Sequence, residues 1–374
     1  KTINLFLDKY GYIMDISKKI DNKLEFSGSV FRQIMQKLSI IDSFKGAWKA
    51  IENSESRYLK ELRKIATIES IGSSTRIEGA TLTDEEVEKL LKSVKITKLE
   101  SREEQEVVGY YEALEVILES YNDIELSERY IHQLHGILLE HSHKDQKHKG
   151  KYKNLSNQVV ANYPDGAQRI IFRTTEPHLV PAEMQELINW TNERIEKNDQ
   201  HPLMMVATFV YEFLSIHPYQ DGNGRLSRLL TTLLLMKHDF QFIQYVSFEN
   251  IIETRKDDYY RVLMEGQKNR YKENERIDSW ILFFLDCLVT LIQRLEAKYE
   301  TYNKLKLVLN DRQQQIMEYI KELKTAKVSD IENSLSQYSR NTLKKDLAFL
   351  VKEGLLIKTG EKKGTQYHYN EKKI

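Results

Sequence analysis

The chain is 374 residues long, enough for two or three domains with separate cores. Its 56 basic and 56 acidic residues cancel, which excludes a whole-protein field directed at nucleic acid or an anionic membrane. Its one cysteine, Cys287, excludes an intrachain disulfide and a cysteine-based metal site. With 5 prolines and 15 glycines among abundant Leu, Ile, Lys and Glu, the composition reads as mostly α.

Several helix starts are legible in chain order. Thr83 with Glu86 and Ser101 with Glu104 fit the capping box, in which hydroxyl and carboxylate satisfy free amides reciprocally. Ser127 caps a helix predicted to run to about Glu140, with Ile131, Leu134, Ile137 and Leu138 on one face. His135 falls on that apolar face and reads as a satisfied core residue. His141, His143 and His148 follow in a Lys-rich stretch with Asp145 as its carboxylate, and read as a solvated loop. Between Gly150 and Pro181 the texture changes. Asn157, Asn162, Pro164-Asp165-Gly166 and the run 169–175 predict two extended segments joined by a turn.

Segments 203–216 and 226–236 are apolar nearly all round, so each reads as a buried helix. Between them lies His217-Pro218-Tyr219-Gln220-Asp221-Gly222-Asn223-Gly224-Arg225. Two core helices are joined by so many costly polar groups only where something binds. Gly222 and Gly224 let the backbone approach a ligand closely. The helix that follows offers free amides and its positive dipole end to a phosphate. Arg225 and Arg228, spaced i, i+3, can engage one polyphosphate. Asp221 is a hard oxygen ligand suited to Mg2+, and His217 can take a proton from an attacking hydroxyl. Farther on, the apolar run 280–292 holds Cys287 as a buried, inert thiol. It is too short and, with Asp286, too polar to span a bilayer. The opening residues lack the pattern of a secretory leader, so the expectation is a cytoplasmic protein with no membrane partner.

Composition shifts again near Leu305, where 14 Lys and Arg face 9 Asp and Glu to the end of the chain. Helices are predicted at 311–323, 329–335 and 339–353, then two short strands around Gly360 and Gly364. This order resembles a winged helix-turn-helix domain. Asn341-Thr342-Leu343-Lys344-Lys345-Asp346-Leu347, with Leu350 and Gly354-Leu355-Leu356, is similar to that family's third helix and first wing strand.

Residues His217 to Arg228 resemble the signature of the Fic family, His-Pro-Phe-x-Asp/Glu-Gly-Asn-Gly-Arg-x-x-Arg, with Tyr219 in place of Phe as the sole departure. The resemblance implies a Fic-type helical bundle with a small β-hairpin flap, plus the C-terminal winged helix domain. It divides the chain into an N-terminal helical region at 1–100, a catalytic core at 101–300 and the tail domain at 305–374. By position, His217 would be the general base and Asp221 the Mg2+ ligand. Gly222, Asn223 and Gly224 would hold the α-phosphate region of ATP, and Arg225 and Arg228 the outer phosphates. Glycine rather than lysine at 224 favours AMP transfer to a protein hydroxyl. Ile170, Ile171, Phe172 and Arg173 would form the flap edge that aligns a target segment by β-augmentation. Ser247, Tyr259-Tyr260, Trp280 and Phe283-Phe284 match the pattern that helps enclose the nucleoside, and serve equally as plain core.

Ser74-Thr75-Arg76-Ile77-Glu78-Gly79 is similar to the family's inhibitory motif, with Ser74 and Glu78 on one helical face. It implies that Glu78 pairs with Arg228 and keeps the γ-phosphate from seating productively. The partners implied are a protein bearing a hydroxyl side chain, the chain itself included, and a second copy in a homodimer. Arg340, Lys344 and Lys345 raise DNA as a partner of the tail, less favoured than protein docking. Two rival readings stand beside AMP transfer: its reversal, and a DNA-binding regulator with a nucleotide-sensing site.

Overall fold

The computed structural model describes residues 20–54, 56–93, 99–162, 168–360 and 364–370, with 158–162 and 168–173 described by their backbone. It contains two compact units that divide between Ile292 and Gln293, ahead of the boundary expected near 305. Among the described residues no helix is long and apolar enough to cross a membrane.

The first unit is built from helices α1 (Gly28–Ser54), α2 (Ser56–Ile77), α3 (Asp84–Ser93), α4 (Arg102–Ser120) and α5 (Glu128–Leu138). A hairpin follows, β1 (Gln158–Asn162) and β2 (Gln168–Arg173). Then come α6 (Val180–Lys197), α7 (Pro202–Ile216), α8 (Asn223–Lys237), α9 (Phe248–Thr254), α10 (Lys256–Gln267) and α11 (Asp278–Val308), which runs across the division. Helices α7 and α8 are the centre. Every residue of α7 from Leu203 to Ile216 is buried, as is nearly all of α8. They pack on each other, with α6 against α7 and with α2, α4 and α5 against α8. Cys287 in α11 is fully buried, and burial pushes its thiol up to about 12.

The capping signals resolve as local structure. Ser101 and Glu104 form a full capping box at α4. Thr83 and Glu86 bond reciprocally before α3, and the Ser127 hydroxyl accepts from the Tyr130 amide at α5. Helix α5 ends at Leu138, short of the predicted Glu140. Its end is met closely by α4, since a Cβ on Gly109 would lie 2.1 Å from the Leu138 carbonyl oxygen. The hairpin is antiparallel, Gln158 opposite Arg173 and Asn162 opposite Gln168. Its register slips between Val159 and Val160, so Ile171 is a bulge residue that re-aims the strand. The turn predicted at Pro164-Asp165-Gly166 lies outside the described residues.

The second unit contains α12 (Asp311–Leu323), β3 (Thr325–Ala326), α13 (Val328–Ser334), α14 (Arg340–Lys352), β4 (Leu356–Thr359) and β5 (Gln366–Tyr369). The strands form an antiparallel sheet in the order β3-β5-β4. Ile316, Ile320, Ile331, Leu343, Leu347 and Leu350 make its core. Buried Asp346 accepts from Arg312 and from Gln313 at 3.0 Å, tying α14 to α12. Three helices and a three-stranded sheet are the winged helix arrangement. Strand β3 was not foreseen, because two residues carry no alternation to read.

The α4–α5 approach has a direct test. Gly109→Ala should lower the stability of the chain by about 1–3 kcal/mol, read as a reduced denaturation midpoint, because the added methyl meets backbone that cannot swing away. An unchanged midpoint would show that the two helices part without cost.

Candidate active site

The site is a turn without a regular hydrogen-bond ladder. Helix α7 stops at His217, which takes the left-handed conformation (φ 54°) and donates its amide to the Phe213 carbonyl at 2.9 Å. Gly222, also left-handed (φ 79°), precedes α8. Between them several backbone groups are bonded by residues from outside the turn, as buried polar groups require. Lys153 Nζ lies 3.3 Å from the Ile216 carbonyl, and the Lys153 amide donates to the Pro218 carbonyl at 2.9 Å. The Tyr219 carbonyl accepts from Asn157 Nδ2 at 2.9 Å and from Asn223 Nδ2 at 2.8 Å, while Asn223 Oδ1 accepts from the Tyr219 amide. His135 Nδ1 accepts from the Gly150 amide, which places the ring proton on Nε2, 3.0 Å from the Asp221 carbonyl. Burial holds His135 neutral, at about 4. Its ring stacks on Tyr219 with centroids 3.7 Å apart. The Tyr219 hydroxyl, the one atom that departs from the Fic signature, sits 2.8 Å from His132 Nδ1. That partner is why a fully buried tyrosine is tolerated where phenylalanine is usual.

Charges converge on the same turn. Burial, then the Lys153 ammonium, depresses His217 to about 4, so its imidazole is neutral at physiological pH. Its Nδ1 is buried without a hydrogen bond. Burial would raise the Asp221 carboxyl, but Arg225 and the Gly222 amide outweigh it and leave it below the usual range. Asp221 Oδ2 is 3.1 Å from Arg102 Nη2, and Oδ1 is 3.4 Å from Arg225 Nη2. Arg225 is 2% exposed, with Glu106 3.4 Å away, yet its Nε and Nη1 donors make no hydrogen bond. Arg228 is 3% exposed, and its Nη1 likewise has none. Buried guanidinium donors not fully hydrogen-bonded near a helix N-terminus fit an anionic ligand.

An anion from the same chain already lies there. The Glu78 carboxylate, just past α2, receives Arg228 Nη2 at 2.8 Å. Ser74, on the last turn of α2, accepts from Arg228 Nε at 2.8 Å with its hydroxyl and from Nη2 at 2.9 Å with its carbonyl. A Cβ on Gly224 would fall 2.1 Å from Glu78 Oε1, so glycine lets the carboxylate lie directly on the start of α8. Burial would raise the Glu78 carboxyl, and Arg228 reverses that, holding it ionised below the usual range. The end of α2 is fixed from α9, where Glu253 receives Arg76 in two bonds, at 2.7 and 3.1 Å.

His217, Asp221, Gly222, Asn223, Gly224, Arg225, Arg228, Ser74 and Glu78 are therefore assembled around one turn. Asn223 differs from expectation in that both ends of its side-chain amide are committed to Tyr219. Ile170, Ile171, Phe172 and Arg173 lie in β2. Tyr259, Trp280, Phe283 and Phe284 are buried beside Arg228 and line a small cavity there. Trp280 also donates to the Ala207 carbonyl at 2.8 Å, a core role. Asp221, 27% exposed, is the turn's carboxylate open to a divalent cation; among the described residues no group of three metal-binding side chains is found. His141 is engaged by Glu112 at 2.9 Å. Sequence reasoning missed Lys153, Arg102 and Glu106. The last two had one signal, their i, i+4 spacing on α4, where they pair at 2.7 Å.

The Fic/DOC family pattern matches residues 125–235, and a DeoR-like helix-turn-helix domain matches 312–360. The protein adenylyltransferase Fic of Drosophila persimilis is 30% identical over 204 residues, 54% of this chain and 37% of that relative. The same enzyme from Drosophila mojavensis is 29% identical over 204 residues, 54% of this chain and 38% of the relative. The match thus spans little more than a third of these relatives' own length. Among solved structures, a Fic family protein from Desulfovibrio desulfuricans shares the fold with a TM-score of 0.63 at 22% identity, covering 93% of this chain and 98% of that one. A Fic domain containing signaling protein from Bacteroides thetaiotaomicron gives 0.56 at 24% identity, covering 68% and 94%. The chain carries a Fic/DOC family domain followed by a helix-turn-helix domain of the DeoR-like type.

Proposed function

We propose that this chain is a protein adenylyltransferase that moves AMP from ATP to the hydroxyl of a protein Ser, Thr or Tyr, and that Glu78 holds it in a low-activity state. One observation carries the reading: a buried, neutral imidazole at the end of α7 is separated by a short turn from two arginines buried in the first turns of α8, whose donors are not all hydrogen-bonded. The curated adenylyltransferase relatives support it. In the reaction the target hydroxyl oxygen forms a bond to the α-phosphorus, and the bond from that phosphorus to the bridging oxygen breaks. Pyrophosphate leaves, and the hydroxyl proton passes to His217. Arg225, Arg228 and the α8 amides bind the phosphates and stabilise charge as it moves onto the leaving group. Asp221 would hold Mg2+, which when bound neutralises polyphosphate charge.

In the resting chain Glu78 takes the arginine that the outer phosphates need. Because Glu78 is 34% exposed while Ser74 is fully buried, the carboxylate is the partner that can be exchanged. The same exposed, ionised Glu78 also suits the reverse reaction, in which it would orient water toward a modified protein. Gain or loss of labelled AMP on one acceptor separates the two directions.

His217→Ala should lower transfer by about 10²–10⁴ while leaving ATP affinity nearly unchanged, measured by labelled-AMP incorporation beside calorimetry. Unchanged turnover would remove the base from the mechanism. The pH profile follows from the same residue. A base must be neutral, and His217 is protonated only below about 4, so kcat/KM should stay level from pH 7 to 5.5 and fall nearer 4. An acid limb at 6.5, the value of a solvated histidine, would contradict the burial argument.

Glu78→Gly should raise automodification severalfold and lose about 1–2 kcal/mol of stability without ATP. That is less than a fully buried pair would cost, because the carboxylate is partly solvated and Ser74 still engages Arg228. ATP should stabilise this variant more than wild type. Adding Arg228→Ala should abolish the gain. Equal, low activity in wild type and Glu78→Gly would show that Glu78 inhibits nothing.

A further inference from the structure

Lys153 is a buried lysine outside every motif of the sequence. It is 4% exposed and stands four residues before Asn157, which opens the way into β1. Its ammonium has three donors and meets three acceptors. Asn157 Oδ1 is 2.8 Å away, the Thr174 hydroxyl oxygen 2.7 Å and the Ile216 carbonyl oxygen 3.3 Å. Asn157 adjoins the first residue of β1, Thr174 follows the last residue of β2, and Ile216 precedes His217. One charged group therefore ties both roots of the hairpin to the residue before the proposed base.

The knot has further strands. The Thr174 hydroxyl lies 2.6 Å from Asn157 Oδ1 and 2.9 Å from the Asn157 carbonyl, so the two roots also hold each other. Asn157 Nδ2 continues to the Tyr219 carbonyl, and the Lys153 amide to that of Pro218. Residues 216, 218 and 219 are thus all bonded to the segment that enters the hairpin. Burying an ammonium is costly unless all its donors are used, and an uncharged side chain would serve a purely structural corner more cheaply.

Resting on the adenylyltransferase reading, we propose that Lys153 is a positioning residue that locks the roots of the hairpin onto the catalytic turn. A segment aligned along the hairpin edge is then registered against His217. Misplacing a hydroxyl by even an ångström can cost about 10²-fold in rate, so a rigid link between the aligning edge and the base is worth a buried charge. Burial lowers Lys153 to about 8, against the carboxylates of Glu176 and Glu183, which pull the other way; the facing His217 is neutral throughout this range. The lock therefore weakens as pH rises through 8.

The test uses the full-length chain in the Glu78→Gly background, with the inactive His217→Ala chain as acceptor protein. Lys153→Met should lower kcat/KM for the acceptor by about 30–100-fold while ATP affinity stays within about twofold. Without nucleotide, amide exchange in 158–162 and 168–173 should rise about tenfold. Thr174→Val, which removes one acceptor and keeps the shape, should give a smaller change in the same direction. Lys153→Arg, charged at all accessible pH, should lose the alkaline limb near 8 even where it restores activity only in part. Unchanged exchange in both Lys153→Met and Thr174→Val would overturn the lock. Altered exchange with no AMP transfer in the Glu78→Gly parent would instead sink the adenylyltransferase reading and leave the lock standing.

Discussion

A guanidinium buried to 3% exposure cannot stand without partners, and the arrangement around Arg228 answers that constraint. Helix α2 supplies the answer with the Ser74 hydroxyl and carbonyl, and Glu78 follows immediately after its end. To deliver them, α2 must reach the centre of the unit, which is why Ser73, Ser74 and Thr75 are buried on a helix whose sequence looks weakly amphipathic. Helix α9 then braces it through the Arg76–Glu253 pair. The N-terminal helical region expected at 1–100 contributes α2 to the same packed core as α7 and α8.

The second constraint is the turn between α7 and α8. It gives up helical hydrogen bonds over several residues, and several of its carbonyls are taken up by side chains and amides, most of them distant in sequence. Asn157 and Asn223 share the Tyr219 carbonyl, His135 takes that of Asp221, and Lys153 takes those of Ile216 and Pro218. The turn is rigid because its partners come from three different directions. This also explains why His135 is a neutral ring in the core. With Nδ1 accepting and Nε2 donating, a second proton would break one of its two bonds.

What was legible in the sequence follows from how far each signal reaches. Caps are local, so Ser101 with Glu104, Thr83 with Glu86, and Ser127 could be read directly. The catalytic turn was legible because polar groups between two apolar helices are costly, and because twelve residues follow a known signature. Most of the tail helices were legible from apolar spacing. Lys153 was not, since its acceptors lie at 157, 174 and 216 and only the fold brings them together. Nothing in the spacing of Asn223 shows that its amide turns back to Tyr219. The division inside α11 was hidden for a related reason: a continuous helix carries no compositional mark where one core ends and another begins.

Under the proposed function, Gly224 shows why inhibition by Glu78 and phosphate binding would be one problem. A Cβ at 224 would lie 2.1 Å from Glu78 Oε1, so a side chain there would force the seated carboxylate to move. Glu78 remains ionised because Arg228 and Arg225 lie beside it and because the free amides of α8 begin there. Those are the groups that would draw in a polyphosphate. Strengthening the positive field of the turn therefore tightens both anions at once and cannot by itself release the enzyme. Release needs a difference between them. The carboxylate brings one charge and is held through a partly exposed side chain, whereas the proposed nucleotide would bring several charges. In the proposed mechanism that difference would set the resting state, with Ser74 keeping Arg228 in place while the partner in front of it changes.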